Sequence, residues 1–245
     1  MTRVFGEVAA LYDEVRPGYP DELLPALTAY HGGVPAPVAD IGAGTGKCTE
    51  LLLKLGAPVT AVEPDPRMAA VLAHKFPQVE VANSAFEQWT PPQDGFGLLA
   101  CATAWHWMDE QTRERRARTA LLPRGTLAIL HNSRGYAVPR HADDISAVLQ
   151  AIDPTPSVDD RAEDWAREGL ESSGLFSDVE VHGWHSFPVL RKDRYLQLLQ
   201  TFSPFRRHST QDQRRAVTEL SAAIDGFGGV VEMDIHTILV LARAV

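Results

Sequence analysis

The sequence predicts an α/β fold: a doubly wound, mostly parallel sheet of seven strands with helical cap insertions. Three observations predict it. Asp40-Ile-Gly42-Ala43-Gly44-Thr-Gly46 joins a short apolar run to a helix whose apolar face is Leu51, Leu52 and Leu55. Glycines at every second position allow a sharp strand-to-helix turn and clear Cβ atoms from a ligand's path. Apolar runs then alternate with helical spacing, the pattern of a parallel sheet. An acid, Glu63, ends the second run, about 20 residues beyond the glycines.

The elements follow in order. Residues 4–14 and 21–30 have helical spacing, with a Pro-Gly-Tyr-Pro turn at 17–20 and Asp21 as N-cap. The first strand is 37–41, and its helix, 45–55, is closed by Gly56. A second strand at 59–63 leads to a helix at 66–75, which Pro77 ends before a short strand at 79–81. The fourth strand is 97–102, then a helix at 109–121, a Pro123-Arg124-Gly125 turn and a fifth strand at 126–131. Beyond this the alternation stops. Residues 139–152, 159–173, 191–202 and 210–224 are helical by spacing, and 179–184 and 231–240 are strands six and seven. We expect one domain over 1–245, with a strap at 1–33 and cap segments at 134–170 and 191–224 over the carboxyl edge of the strands.

At 245 residues and 44% hydrophobic content the chain can bury a full core. A net charge of −9 argues against nucleic acid as a partner. The one basic cluster, Arg113 to Arg118, reads as a solvated helix face. Two cysteines, Cys48 and Cys101, without C-x-x-C spacing indicate a reducing compartment and neither disulfide nor zinc site. The start lacks an apolar signal core, and no apolar run approaches the ~20 residues that span a bilayer. The expectation is a cytoplasmic protein that avoids membranes.

The glycine spacing departs from the dinucleotide pattern, because Lys47 stands where the third glycine would be. Asp40 would repel a diphosphate. S-adenosylmethionine has no phosphate and carries an ammonium and a sulfonium, which suit an acid. Glu63 stands where ribose hydroxyls are held.

In these residues the chain resembles the class I S-adenosylmethionine-dependent methyltransferases, with their Rossmann-like sheet. Glu63-Pro64-Asp65-Pro66-Arg67-Met68 is similar to the family's second motif, and Ser84-Ala85-Phe86-Glu87 to its third. The resemblance implies cofactor contacts from Gly42, Ala43, Gly44, Gly46, Glu63 and Pro64, with Met68 beside the adenine. Ala85 replaces a frequent Asp, which leaves the adenine amino group to backbone groups of Ala85 or Phe86. Ala102-Thr103-Ala104-Trp105-His106-Trp107 resembles a segment of the small-molecule branch that includes trans-aconitate methyltransferases. It implies cofactor contacts at Thr103 and Ala104. Tyr12 to Pro20 resembles that branch's strap, with Tyr12, Arg16 and Tyr19 over the cofactor, and Thr201-Phe202-Ser203 resembles its lid. The family also places the last strand antiparallel, between strands five and six.

For chemistry, His106 follows strand four and either meets the acceptor, with or without acting as a base, or fixes the loop. Trp105 accompanies it at the acceptor. His131 ends strand five and either faces the acceptor or satisfies backbone groups. Ser203 and Arg206 could form a polar lid edge for an anion, as could Arg16 through its planar fork. The expected acceptor is a small molecule methylated at oxygen, a carboxylate by preference. Methylation of a peptide terminus, phenol or nitrogen, and binding without transfer, are the alternatives. No metal is expected: His182 and His185 point to opposite faces of a strand.

Overall fold

A computed structural model describes residues 5–152 and 165–245, so the expected Asp153–Pro156 turn and the start of the 159–173 helix lie outside the described residues. After a single 3-10 turn the chain forms α1 (Ala9–Val15) and α2 (Leu23–His31). The turn of 17–20 separates them as expected, but Asp21 is not the cap of α2: Glu22 takes that position, and Asp21 pairs with Lys54 Nζ at 2.5 Å. The sheet then starts with β1 (Val38–Ile41), followed by α3 (Lys47–Leu52) and a 3-10 turn closed by Gly56 at φ 73°.

Next come β2 (Val59–Val62), α4 (Pro66–Lys75), β3 (Glu80–Ala82), β4 (Phe96–Ala102), α5 (Arg113–Ala120) and β5 (Leu121–Tyr136). The start of α4 shows how local sequence sets an element. Asp65 Oδ1 accepts from Arg67 N at 2.9 Å, and Pro66 occupies the first turn, where its missing N–H costs nothing. The remaining elements are α6 (Pro139–Ile152), α7 (Arg167–Ser172), β6 (Phe176–Ser186), β7 (Val189–Arg191), α8 (Lys192–Leu199), α9 (Ser203–Arg207), α10 (Thr210–Gly226) and β8 (Val230–Ala244).

Among the described residues the sheet has eight strands, not seven, in the order β3-β2-β1-β4-β5-β8-β6, with short β7 paired to β8. The β1–β2, β1–β4, β2–β3 and β4–β5 pairs are parallel. As the resemblance implied, β8 lies between β5 and β6. It runs antiparallel to β5: Ala137 N–H donates to Glu232 O, and Arg243 lies beside Arg124. Strand five is longer than its apolar pattern. Its register jumps from Leu121 opposite Phe96 to Thr126 opposite Leu98, so the Pro123-Arg124-Gly125 turn bulges from within the strand. At the other end it continues to Tyr136, into residues expected to begin a cap.

The chain groups into two compact units. One comprises Pro17–His131, Arg161–Gly183 and Thr237–Val245. Its core is the sheet interior, with Ile41, Leu99, Leu127 and Val240 at 1% exposure or less. The other comprises Met1–Arg16, Asn132–Asp160 and Trp184–His236. Its core joins α1, α6, α8 and α10 through Val15, Ile145, Leu198, Leu220 and Ile224. Strands β5 and β8 contribute residues to both units. The basic cluster of α5 is not merely a solvated face. Arg116 donates to Phe86 O and Trp89 O, and Arg113 bonds Glu114 and Trp105 O, so these arginines tie the helix down.

Candidate functional site

In the sheet unit, β1 and β2 are parallel and end at the same edge, so their C-terminal residues lie side by side. Val62 O accepts from Gly42 N at 2.8 Å and from Ala43 N at 3.1 Å, so the turn that follows β1 is bonded to the last residue of β2. Gly42, Gly44 and Gly46 all have positive φ, 67°, 58° and 89°. Their surroundings differ. A Cβ at Gly42 would lie 2.5 Å from Ala104 Cβ, and one at Gly46 would lie 2.9 Å from the Phe76 ring. Those two glycines are needed for packing. A Cβ at Gly44 would meet only Met68 Cε, at 3.4 Å. Gly44 and Met68 therefore face each other across space that a side chain would enter.

Glu63, just beyond β2, is 5% exposed. Its Oε2 accepts from Gly44 N and its Oε1 from Asp65 N, each at 2.8 Å. Two backbone donors thus orient the carboxylate beside the turn, and Asn83 Nδ2 fixes the backbone behind it by donating to Glu63 O at 2.7 Å. Asp40 behaves differently. It is fully buried, and its Oδ2 accepts from Thr49 Oγ1 at 2.6 Å. Oδ1 has no hydrogen-bond partner among the described residues. Burial, with the Glu63 charge adding to it, pushes its pKa up to about 7 against the Thr49 hydrogen bond. The structure thus encloses the acid that the sequence suggested would face a cation. Asp40 supports the turn from beneath.

The third-motif residues divide likewise. Phe86 is 4% exposed and packs in the core against Trp89, ring centroids 6.4 Å apart, while its carbonyl accepts from Arg116. Its side chain therefore faces away from any ligand. Ala85 and Pro64 are partly exposed.

At the end of β4, Thr103 has φ 54°, costly for a β-branched residue. Its N–H donates to Leu130 O at 2.7 Å, and its hydroxyl pairs with Tyr19 OH at 2.9 Å. Tyr19 thus meets the segment expected beside the cofactor. Trp105 does not reach an acceptor: it is 1% exposed, in the core, beneath the Arg113 guanidinium. The tryptophan near His106 is Trp107, 42% exposed, with ring centroids 4.7 Å apart. His131, 4% exposed, meets His106 edge-on at 6.5 Å, and Trp165 meets it at 6.4 Å. Trp165 carried no motif that sequence reading could use, whereas Trp107 stands in the Trp-His-Trp triplet.

The other expected ligand contacts lie in the helical unit. Arg16 donates from Nε to Thr201 Oγ1 at 2.8 Å and from an Nη to Thr201 O at 3.0 Å. Its guanidinium also lies over the Tyr12 and Phe202 rings, at 4.8 and 4.3 Å. Strap and lid segments thus meet, but Arg16 is engaged within its own unit. Arg206 pairs with Glu7. Ser203 opens α9 and is partly exposed. Among the described residues, no group of three or more His, Cys, Asp or Glu side chains is placed to hold a metal ion, and no helix is long and apolar enough to cross a membrane.

Comparison with known proteins agrees with this geometry. Residues 38–125 match the family model described as a methyltransferase domain. An uncharacterized methyltransferase of Mycobacterium tuberculosis is 30% identical over 179 residues, covering 67% of this chain and 71% of the relative. One from Schizosaccharomyces pombe is 27% identical, covering 56% of this chain and 55% of its own. Among solved structures, a candidate type II methyltransferase from Anaeromyxobacter dehalogenans superposes with TM-score 0.68 at 19% identity, covering 93% of this chain and 97% of that one. Phosphoethanolamine N-methyltransferase 2 of Haemonchus contortus, solved with S-adenosyl-L-methionine, gives 0.56 at 16% identity over 99% of this chain and 58% of its own. The two structures share the fold. With the motif at the edge of β1 and β2, the matches make this chain a member of the class I S-adenosylmethionine-dependent methyltransferases.

Proposed function

We propose that the chain transfers a methyl group from S-adenosylmethionine to a hydroxyl oxygen of a small molecule held against His106. The observation that carries the acceptor assignment is the grouping of His106 with His131, Trp107 and Trp165 in the sheet unit.

The residues at the turn fit the cofactor. Gly44 leaves open the space a Cβ would fill, opposite Met68. Glu63 is fixed by two backbone donors, and ribose hydroxyls would be further donors to the same carboxylate. Met68 and the Ala85 backbone would line the adenine, while Ala43, Pro64, Ala104 and the Thr103–Tyr19 pair would border the rest. Asp40 holds the turn through Thr49 without touching the ligand.

The cofactor supplies an electrophilic methyl and a thioether leaving group. The protein's work is alignment, which alone can be worth about 7–11 kcal/mol in favourable cases. A hydroxyl acceptor must also lose its proton, and an imidazole is the usual group for that step. His106 takes this proton, while His131 and the two tryptophans fix its ring. A carboxylate acceptor, our expectation from sequence, would call instead for an arginine. Arg16 and Arg206, the two that were expected to serve, are engaged with Thr201 and Glu7.

Methyl transfer from labelled cofactor to a panel of phenols, aliphatic hydroxyls, and di- and tricarboxylates tests this reading. We expect turnover of hydroxyl compounds, with a rate that rises through ~6–7, the histidine range. That step should vanish in His106→Ala. Turnover of carboxylates alone, indifferent to pH and altered in His106→Ala only through the Michaelis constant, would overturn the acceptor assignment.

A further inference from the structure

The sheet unit has a concave region at the edge of its strands opposite the glycine turn. Ala36, which precedes β1, and Gly97, at the start of β4, line a cavity of about 460 Å³ with Tyr30, His31, Arg124 and Arg243. The glycine turn follows β1 and His106 follows β4, so this cavity lies away from the methyl-transfer residues. Its volume falls within the usual range for small-molecule sites.

We propose that this cavity binds a small organic anion bearing two or more phosphate or carboxylate groups. Charge is the first argument. Two arginines, Arg124 and Arg243, line one cavity in a chain whose net charge is −9. Arg243 forms the cavity wall rather than the anion's main contact: it donates to Arg124 O at 3.2 Å and to Tyr30 O, and lies 4.7 Å over the Tyr30 ring, which leaves Arg124 to meet the anion. Among the described residues the carboxylate paired with it, Asp178 at 3.8 Å, is 65% exposed and therefore well screened. Burial pushes the Tyr30 phenol up to about 12, so it adds no negative charge. Burial, and then Arg243, lower the pKa of His31, which pairs with Thr126 Oγ1 at 2.9 Å.

Backbone conformation is the second argument. Among the described residues, only Thr103, Arg124 and Asp178 have positive φ without being glycine, at 54°, 60° and 53°. Thr103 belongs to the methyl-transfer edge. The other two flank Arg243. Residues held in this region cost ~1–3 kcal/mol each and gather at ligand sites. The bulge of β5 holds Arg124 at positive φ between Pro123 and Gly125, and so places this arginine at the cavity wall.

Calorimetric titration of the full chain with pyrophosphate and with citrate tests this. We expect saturable binding of at least one probe: pyrophosphate alone identifies phosphate as the preferred group, citrate alone carboxylate. Arg124→Asn suits the site because asparagine tolerates positive φ. It should weaken binding by about five-fold or more, the loss of a charge-assisted contact. Arg124→Lys should restore most of it. Absence of saturable binding by either probe at about 10 mM, weaker than any useful affinity, would overturn the proposal. So would equal affinity in a folded Arg124→Asn protein. Methyl transfer is assayed separately, so either result leaves its assignment intact.

Discussion

At the glycine turn, polar groups are held by close neighbours: Glu63 binds the N–H groups of Gly44 and Asp65, and Asp40 binds Thr49. In the helical unit, Arg16 reaches Thr201, 185 residues away, and Arg206 reaches Glu7, 199 residues away. The first region is built from short-range contacts that a motif can encode. The second is built from partners that no local pattern reveals. The same side-chain chemistry therefore means different things in the two places: a carboxylate oriented toward a ligand edge, and an arginine used to hold segments together.

This comparison breaks most sharply at Gly42. A side chain there meets Ala104 Cβ at 2.5 Å and must adopt φ 67°. Gly42→Val should cost about 2–4 kcal/mol of stability in urea, the sum of strain and overpacking. A loss below 1 kcal/mol would mean that the close approach at the turn is not as tight as described.

Glu63→Ala is the next largest. It removes the acceptor of two backbone N–H groups as well as the expected ribose contact. We expect cofactor affinity to fall by about 1–3 kcal/mol with the protein still folded, as read by calorimetry and circular dichroism. Unchanged affinity would refute the ribose role.

Arg16→Ala sharpens the other side of the comparison. If Arg16 serves to join Thr201, Tyr12 and Phe202, stability should drop by about 1–2 kcal/mol, with loss of charged hydrogen bonds and ring contacts. A folded variant of unchanged stability, whose cofactor affinity nevertheless collapses, would return Arg16 to the ligand.

Asp40 gives the most specific effect. Its folded pKa, about 7, lies above the ordinary Asp value of 3.8. The folded state therefore binds the proton more tightly than the unfolded chain, and this group's contribution falls as pH rises from about 4 to about 7. Asp40→Asn, neutral at every pH, should remove that part of the slope. Thermal melts of both proteins between pH 4 and pH 8 check it: the difference in melting temperature should shift in favour of the variant as pH rises. A constant difference would show that Asp40 is not perturbed.

Much of the sheet was legible. Strands and helices through residue 131 followed from apolar runs punctuated by Gly and Pro, although the expected cap, Asp21, is displaced by Glu22. Three kinds of feature were not legible. Beyond His131, β5 runs on into polar residues, because pairing with β8 rather than apolar alternation sustains it. Burial of Asp40 and Trp105 depends on how deep the edge lies beneath the turn, and a motif reports residue identity without depth. Trp165 and Thr201 reach their partners through chain crossings, so nothing near them in sequence marks the contact.

The central claim is that the cofactor lies across Gly44, between Met68 and Glu63. Titration of S-adenosylmethionine into wild-type protein and Gly44→Val tests it most directly. A β-branched side chain at φ 58° would enter that space while displacing only the flexible end of Met68, so the sheet should survive. The account predicts saturable binding by the wild type and none by a folded Gly44→Val variant. Near-equal affinity in the two proteins would place the ligand elsewhere and contradict it.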